Sequence, residues 1–149
     1  MAQKALNLED IVAGNIIQTK GIGSMTWLKD GERYSRLENN KQTGGTDIVA
    51  YRAKDNSREV IIPSSLLTDK STGRPIPVRS VSWSADNEKV LIYNNTRRVW
   101  RYDTRGDYWV LNLKDGALRQ LGKGMPESSM MFAKFSPDGT RVAYVSNNN

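Results

Sequence analysis

One stretch of this chain collects side chains that can bind carbonyl, carboxylate or phosphate oxygens. Four arginines and two aromatic residues lie close together in it: Arg97, Arg98, Trp100, Arg101, Tyr102 and Arg105. A guanidinium group donates several hydrogen bonds to such oxygens in a fixed geometry. The cluster therefore predicts either a site that grasps a carbonyl or carboxylate or a solvated basic loop, and the residues alone leave both interpretations open. We expect residues 94–107 to form a long loop around it.

Two absences restrict the catalytic chemistry of the chain. The sequence has no histidine and no cysteine, so it cannot assemble a Ser-His-Asp triad, a Cys-His dyad or an ordinary zinc site. Ser136 lies in Phe-Ser-Pro-Asp-Gly, a turn sequence rather than a nucleophile elbow. The carboxylates occur singly and form no calcium-loop pattern. We expect no catalytic residue, no metal site and no cofactor in this chain.

The formal net charge of +6 raises the question of a nucleic-acid partner. The basic residues are spread along the chain, however, and no helix suited to reading a DNA groove is visible. We therefore expect no nucleic-acid partner. No apolar run approaches the roughly 20 residues of a membrane-spanning helix, and the start of the chain lacks the apolar core of a signal peptide. We expect no membrane span in this chain.

A short pattern occurs three times and places the arginine cluster in a repeat architecture. It is an aromatic residue followed three positions later by an aspartate in a turn: Trp27 to Asp30, Trp83 to Asp86, and Phe135 to Asp138. The aspartates lie 56 and 52 residues apart, and strand-rich repeats of similar length are typical of β-propeller blades. We expect the three aromatic residues to lie in the cores of the blades.

The predicted fold is all-β, a partial β-propeller of about two and a half four-stranded antiparallel blades with a short N-terminal helix. Two-residue turns such as Asp30-Gly31 separate the strand candidates. The predicted organisation is a helical lead-in over residues 1–22, a blade over 23–62, a connector over 63–78, a blade over 79–121 and a partial blade over 131–149. In the lead-in, Asn7 can cap a helix that ends near Gly14.

The second and partial blades have definite strand candidates, rich in β-branched and aromatic residues. These are residues 80–83, 89–93, 108–113 and 118–121 in the second blade, and 131–135 and 141–145 in the third. Because a half-built blade leaves strand edges open, we expect the chain to form a homo-oligomer.

Three segments carry a resemblance to a known family. The stretch from Phe135 to Ser146 looks like the blade repeat of TolB-type and serine-peptidase propellers. Two others, Leu6 to Gly14 and Val99 to Leu113, resemble in this order the amino-terminal region of dipeptidyl peptidase IV.

The resemblance implies a larger serine exopeptidase that removes N-terminal dipeptides, with this chain as a non-catalytic part of its substrate-gating propeller. A hydrolase domain carrying the triad would follow Asn149, and the location would be secreted or periplasmic. Trp100-Arg101 matches the place of a propeller arginine that binds a carbonyl of the peptide substrate, so Arg101 is the substrate-binding candidate. The sequence departs from the family directly afterwards, where relatives commonly have His or Tyr followed by Ser and this chain has Tyr102-Asp103. The alternative function is a TolB-like propeller that acts as a protein-binding module.

Overall fold

The computed structural model describes Leu8, Gly21 and residues 23–146. Within this part the protein consists almost entirely of antiparallel β-strands. The predicted all-β, propeller-type fold is therefore confirmed. The predicted helix from Asn7 to Gly14 lies, apart from Leu8, outside the described residues, as do residues 147–149.

The first blade is a four-stranded antiparallel meander in chain order. Its strands are β1 (Met25–Trp27), β2 (Arg33–Asn39), β3 (Thr46–Arg52) and β4 (Arg58–Ile62). The turn between β1 and β2 has Gly31 at φ 70°, a conformation that glycine adopts without a steric penalty. Asp30 accepts hydrogen bonds from the backbone N–H groups of Glu32 and Arg33 at 2.9 and 3.0 Å and thereby closes the turn.

A connector joins the first blade to the second. It contains a 3-10 helix (Ser64–Leu67) and a small hairpin formed by β5 (Thr68–Asp69) and β6 (Arg74–Pro75). Leu67 and Ile76 are buried in the main hydrophobic cluster. The connector therefore contributes to the core between the blades as well as linking them.

The second blade has the same meander order but longer middle strands. Its strands are β7 (Ser80–Trp83), β8 (Lys89–Val99), β9 (Tyr102–Asn112) and β10 (Ala117–Gln120). The pairing of β8 with β9 continues from Lys89↔Asn112 to Val99↔Tyr102. The prediction of a long loop over residues 94–107 is therefore wrong, because most of that stretch extends the two strands.

The partial third blade consists of β11 (Met130–Phe135) and β12 (Val142–Ser146). The two strands pair with each other, and Met130 also pairs with Gly106 of β9. This contact joins the second and third blades into one continuous sheet of six strands.

Two hydrophobic clusters hold the blades together. The first lies between the first and second blades and includes Ile48, Ile62, Val90, Ile92 and Leu111. The second lies between the second and third blades and includes Leu91, Tyr108, Met130 and Ala133. Successive residues of β8 thus point into different clusters, as the alternation of side chains along a strand requires. The second blade is buried on both faces.

The three aromatic residues of the repeat differ in burial. Trp83 packs against the first cluster and donates its indole N–H to Ser35 Oγ of the neighbouring blade at 3.1 Å. Phe135 packs against the second cluster. Trp27 is 61% exposed and lies edge-on against Tyr34. The prediction of a core position is therefore wrong for Trp27, which faces away from the second blade.

Candidate functional site: the arginine hairpin

The arginine cluster lies on the extension of β8 and β9, and we call residues 96–105 the arginine hairpin. Val99 pairs with Tyr102, so that Trp100-Arg101 forms a two-residue turn at the tip. Such turns require positive φ angles and favour Gly or Asn, yet Trp100 has φ 62°. A bulky residue in this conformation is strained, and strain of this kind concentrates at functional sites. The side chain of Trp100 is 94% exposed, and Arg101 is exposed beside it.

A buried carboxylate closes the base of the hairpin. Asp107 accepts a hydrogen bond from the Asn95 side-chain amide at 2.7 Å and another from the Ser128 backbone N–H at 2.8 Å. The Ser128 hydroxyl donates to the Asn95 carbonyl oxygen at 2.5 Å. These bonds join the last regular part of the blade to the segment that enters the third blade. The arginine hairpin therefore projects from an ordered base.

Tyr93 supports the returning strand of the hairpin from below. Its one hydroxyl proton is shared between the carbonyl oxygens of Asp103 and Arg105, which lie at 3.1 and 2.9 Å from the hydroxyl oxygen. Its ring stacks on Tyr108 with a centroid separation of 4.8 Å. A Cβ atom added at Gly106 would lie 2.3 Å from this ring, so only glycine allows the backbone to approach so closely. Burial raises the pKa of Tyr93 to about 12, which keeps the hydroxyl protonated and able to donate.

The charges of the hairpin are unevenly compensated. Asp103 lies 3.9 Å from the guanidinium of Arg98 and 3.5 Å from that of Arg79, which precedes β7. Within residues 23–146, no carboxylate lies within ion-pair distance of Arg101 or Arg97. The guanidinium of Arg101 is thus exposed at the tip and can donate hydrogen bonds to an anionic or carbonyl ligand. Arg97 and Arg105 are partners across the ladder, whereas Arg101 lies at the tip.

The structure bears on other kinds of site as well. Among the residues that it describes, no group of three or more His, Cys, Asp or Glu side chains is placed to hold a metal ion. No helix in the same part of the chain is both long and apolar enough to cross a membrane.

Sequence reasoning identified the arginines but missed the residues that support them. Tyr93, Asn95, Asp107 and Ser128 carry no catalytic or binding motif. One signal was available, because the first blade has the same arrangement of Asn40 and Asp47 at the corresponding hairpin. That signal marks a repeated structural feature rather than a site.

The fold and the arginine hairpin define the class of this protein, a piece of a β-propeller with a cationic hairpin on one blade. Comparison with known proteins narrows the class. Residues 84–149 match the family model described as the dipeptidyl peptidase IV (DPP IV) N-terminal region. The match includes the whole arginine hairpin.

Curated relatives and a solved structure agree with this match. The probable dipeptidyl-aminopeptidase B of Aspergillus oryzae is 26% identical over 121 residues, which are 80% of this chain and 12% of that protein. The dipeptidyl aminopeptidase B of Saccharomyces cerevisiae is 26% identical over 149 residues, covering 93% of this chain and 16% of that one. The crystal structure of Porphyromonas gingivalis dipeptidyl peptidase 4 is similar over 100% of this chain and 20% of that chain, with a TM-score of 0.70 and 21% identity.

The chain is therefore similar to the N-terminal region of the dipeptidyl peptidase IV family, with the family-model match lying in residues 84–149. The structural likeness to the Porphyromonas gingivalis enzyme supports the propeller fold. The chain spans 12–16% of the length of these two curated relatives. The predicted resemblance to this N-terminal region is therefore confirmed, while the role predicted for Arg101 stays a prediction.

Proposed function

We propose that this chain forms part of the substrate-gating propeller of a serine exopeptidase that removes N-terminal dipeptides, and that Arg101 binds a carbonyl of the peptide substrate. The observation that carries the proposal is the position of Arg101 at the tip of a braced hairpin, exposed and without a carboxylate partner among the described residues. The family relationship supports the choice of a peptide as the ligand.

The proposed interaction is a charge-assisted hydrogen bond. Such bonds to a guanidinium are shorter and about twice as strong as those between neutral groups. A hairpin already ordered by Asp107 and Tyr93 loses little conformational freedom when it binds, so more of the bond energy appears as affinity. Fixing one carbonyl would orient the peptide relative to the reacting bond. Since the chain has no histidine, the triad would come from sequence outside these 149 residues, in a hydrolase domain of the same protein.

The test is Arg101→Ala in the full-length product of the gene, assayed on an Xaa-Pro chromogenic substrate. Loss of one charge-assisted hydrogen bond should lower kcat/KM by about 10- to 150-fold, which corresponds to about 1.5–3 kcal/mol. Arg97→Ala is the matched control, because Arg97 lies on the same hairpin away from the tip. If Arg101→Ala leaves kcat/KM unchanged and Arg97→Ala lowers it strongly, Arg97 rather than Arg101 binds the substrate. If neither variant lowers kcat/KM, the proposal is overturned.

We also infer that the protein is secreted or periplasmic, on the basis of its resemblance to exopeptidases.

We further infer that the chain self-associates. Phe132, Tyr144 and Val145 are 62%, 40% and 43% exposed on the third blade. Covering such apolar side chains favours association. Light scattering by the 149-residue chain at micromolar concentration should report more than one chain per particle, whereas a monomer across that range would contradict the inference.

A further inference from the structure

We propose that Tyr93 and Asp103 are positioning residues that together hold the arginine hairpin in the direction in which Arg101 meets its ligand. The proposal rests on the function proposed above for Arg101. It concerns Tyr93, which contacts the hairpin from the blade below, and Asp103, which lies on the hairpin and contacts Arg79 outside it; we call these two residues the hairpin clamp.

The hairpin needs such a clamp because its own ladder is irregular. The pairing of β8 with β9 shifts register between Asn94 and Arg97 and again between Arg97 and Arg98. Irregular pairing increases the local twist and leaves backbone groups unpaired, so the direction of the tip is weakly specified by the ladder alone. Only three residue pairs, from Arg97↔Arg105 to Val99↔Tyr102, lie beyond the first shift.

Tyr93 compensates for this irregularity on the returning strand. Its hydroxyl contacts the carbonyl oxygens of Asp103 and Arg105, on both sides of Thr104, at 3.1 and 2.9 Å. The ring cannot move away, since it stacks on Tyr108 and lies against Gly106. A hydroxyl on a rigid ring thus sets the height of the hairpin above the blade.

Asp103 restrains the sideways motion of the hairpin relative to the start of β7. It faces Arg98 across the ladder and also reaches Arg79, which lies outside the hairpin before β7. The backbone N–H of Arg79 donates to the Tyr93 carbonyl oxygen at 2.9 Å, so that the two parts of the clamp meet. By engaging Arg98 and Arg79, Asp103 also reduces their competition with Arg101 for a ligand carbonyl.

The first experiment measures the motion of the tip without any substrate. The chain contains no cysteine, so Trp100→Cys provides a single attachment point for a nitroxide spin label in the 149-residue chain. Tyr93→Phe and Asp103→Asn should each increase the mobility of the label. Glu88→Gln is the control, because Glu88 forms a comparable exposed ion pair with Lys114 at 2.7 Å at the opposite end of the same blade. It should leave the spectrum unchanged.

The second experiment measures peptidase kinetics in the full-length protein. Tyr93→Phe and Asp103→Asn should each raise KM by about threefold to tenfold, the range expected for losing the order of one or two interface side chains, with kcat within about twofold of wild type. Glu88→Gln should change neither constant. A general loss of structure would lower kcat as well, so the split between the constants separates positioning from unfolding.

The outcomes distinguish this proposal from the one that it rests on. Unchanged mobility in both variants would overturn the clamp whatever the kinetics show. Increased mobility with an unchanged KM would overturn the link between the clamp and Arg101. If Arg101→Ala itself leaves the activity intact, the proposed function fails, and the role of the clamp in holding the hairpin is decided by the mobility measurement.

Discussion

The first and second blades each have a buried aspartate at the base of the central hairpin, but the hairpins beyond this aspartate differ. In the first blade, Asp47 accepts hydrogen bonds from the Asn40 amide at 3.0 Å and the Ser64 N–H at 2.7 Å. In the second blade, Asp107 accepts them from Asn95 and the Ser128 N–H. Each buried aspartate thus ties its hairpin to the segment that leaves the blade. The bracing is a common feature of both blades.

The difference lies beyond this brace. In the first blade four residues, 41–44, connect Asn40 to Gly45, and the backbone N–H of Asn40 donates to the Gly45 carbonyl. In the second blade ten residues, 96–105, connect Asn95 to Gly106 and carry the arginines. Since surface hairpins lengthen at little cost once their base is fixed, a repeat can gain a binding element without changing its frame. Four predictions test this interpretation.

The largest effect should come from the core that both blades share. Ile48→Ala in the first blade and Ile92→Ala in the second remove fully buried side chains from the same cluster. Each should lower the free energy of unfolding by about 2–5 kcal/mol, because it loses the transfer energy and leaves a cavity. Urea denaturation measures the loss, and Val60→Ala, at an exposed position, is the control. Unfolding in two separate transitions would mean that the blades do not unfold as one unit.

The next effect concerns the two aspartate braces. Burial would raise the pKa of Asp47, but the hydrogen bonds from Ser64 and Asn40 outweigh burial, and the pKa of this carboxyl is lowered. Asp47→Ala and Asp107→Ala each leave a backbone N–H unpaired and should cost about 1–3 kcal/mol in chemical denaturation. Glu127→Ala, an exposed site, provides the comparison. If only one brace matters, the blades are less alike than their geometry indicates.

The third prediction uses the turn that recurs in all three blades. The Ser84 hydroxyl and the Glu88 N–H lower the pKa of Asp86 to about 2. Because the folded state favours the charged form, this stabilisation is present above about pH 4 and is lost as the pH falls towards 2. Asp86→Asn should therefore unfold more easily than wild type at pH 7, and the difference should shrink below pH 4. Thermal unfolding across pH 2–7 checks this, and a difference that is constant with pH would contradict it.

The smallest effect on stability should come from replacing the arginine hairpin by the short connection of the first blade. Replacing residues 96–105 by the four residues 41–44 should change the free energy of unfolding by about 1 kcal/mol or less, since the Asp107 brace is retained. The same exchange in the full-length protein should lose at least as much peptidase efficiency as Arg101→Ala. The control is a variant in which the order of residues 41–44 is reversed within the first blade, which measures the effect of altering a surface turn. Loss of cooperative unfolding in the shortened chain would show that the arginine hairpin belongs to the frame.

Local features of the sequence were sufficient for much of the fold. The strand β7 was predicted with its observed bounds, and the turn at Asp86-Asn87 lies where it was expected. Turn residues act on their immediate neighbours, as the hydrogen bond from the Glu88 N–H to the Asp86 carboxylate shows. The arginine cluster and the resemblance of Trp100-Arg101 to a family motif were also recognisable in the sequence. For this reason Arg101 could be selected as the substrate-binding candidate.

The sequence by itself determined the repeat, the turns, the regular parts of the strands in the second and third blades, and the family resemblance, because these depend on residue types at short spacings. Only the tertiary structure decided that residues 94–107 continue the ladder, since a polar, arginine-rich stretch has no hydrophobic alternation to specify its register. It also decided that Trp27 is exposed while Trp83 is packed, because burial depends on which neighbour covers each face. The contact of the Tyr93 hydroxyl with the Arg105 carbonyl exists only once that register is formed, and the positioning proposed for Arg101 depends on this contact.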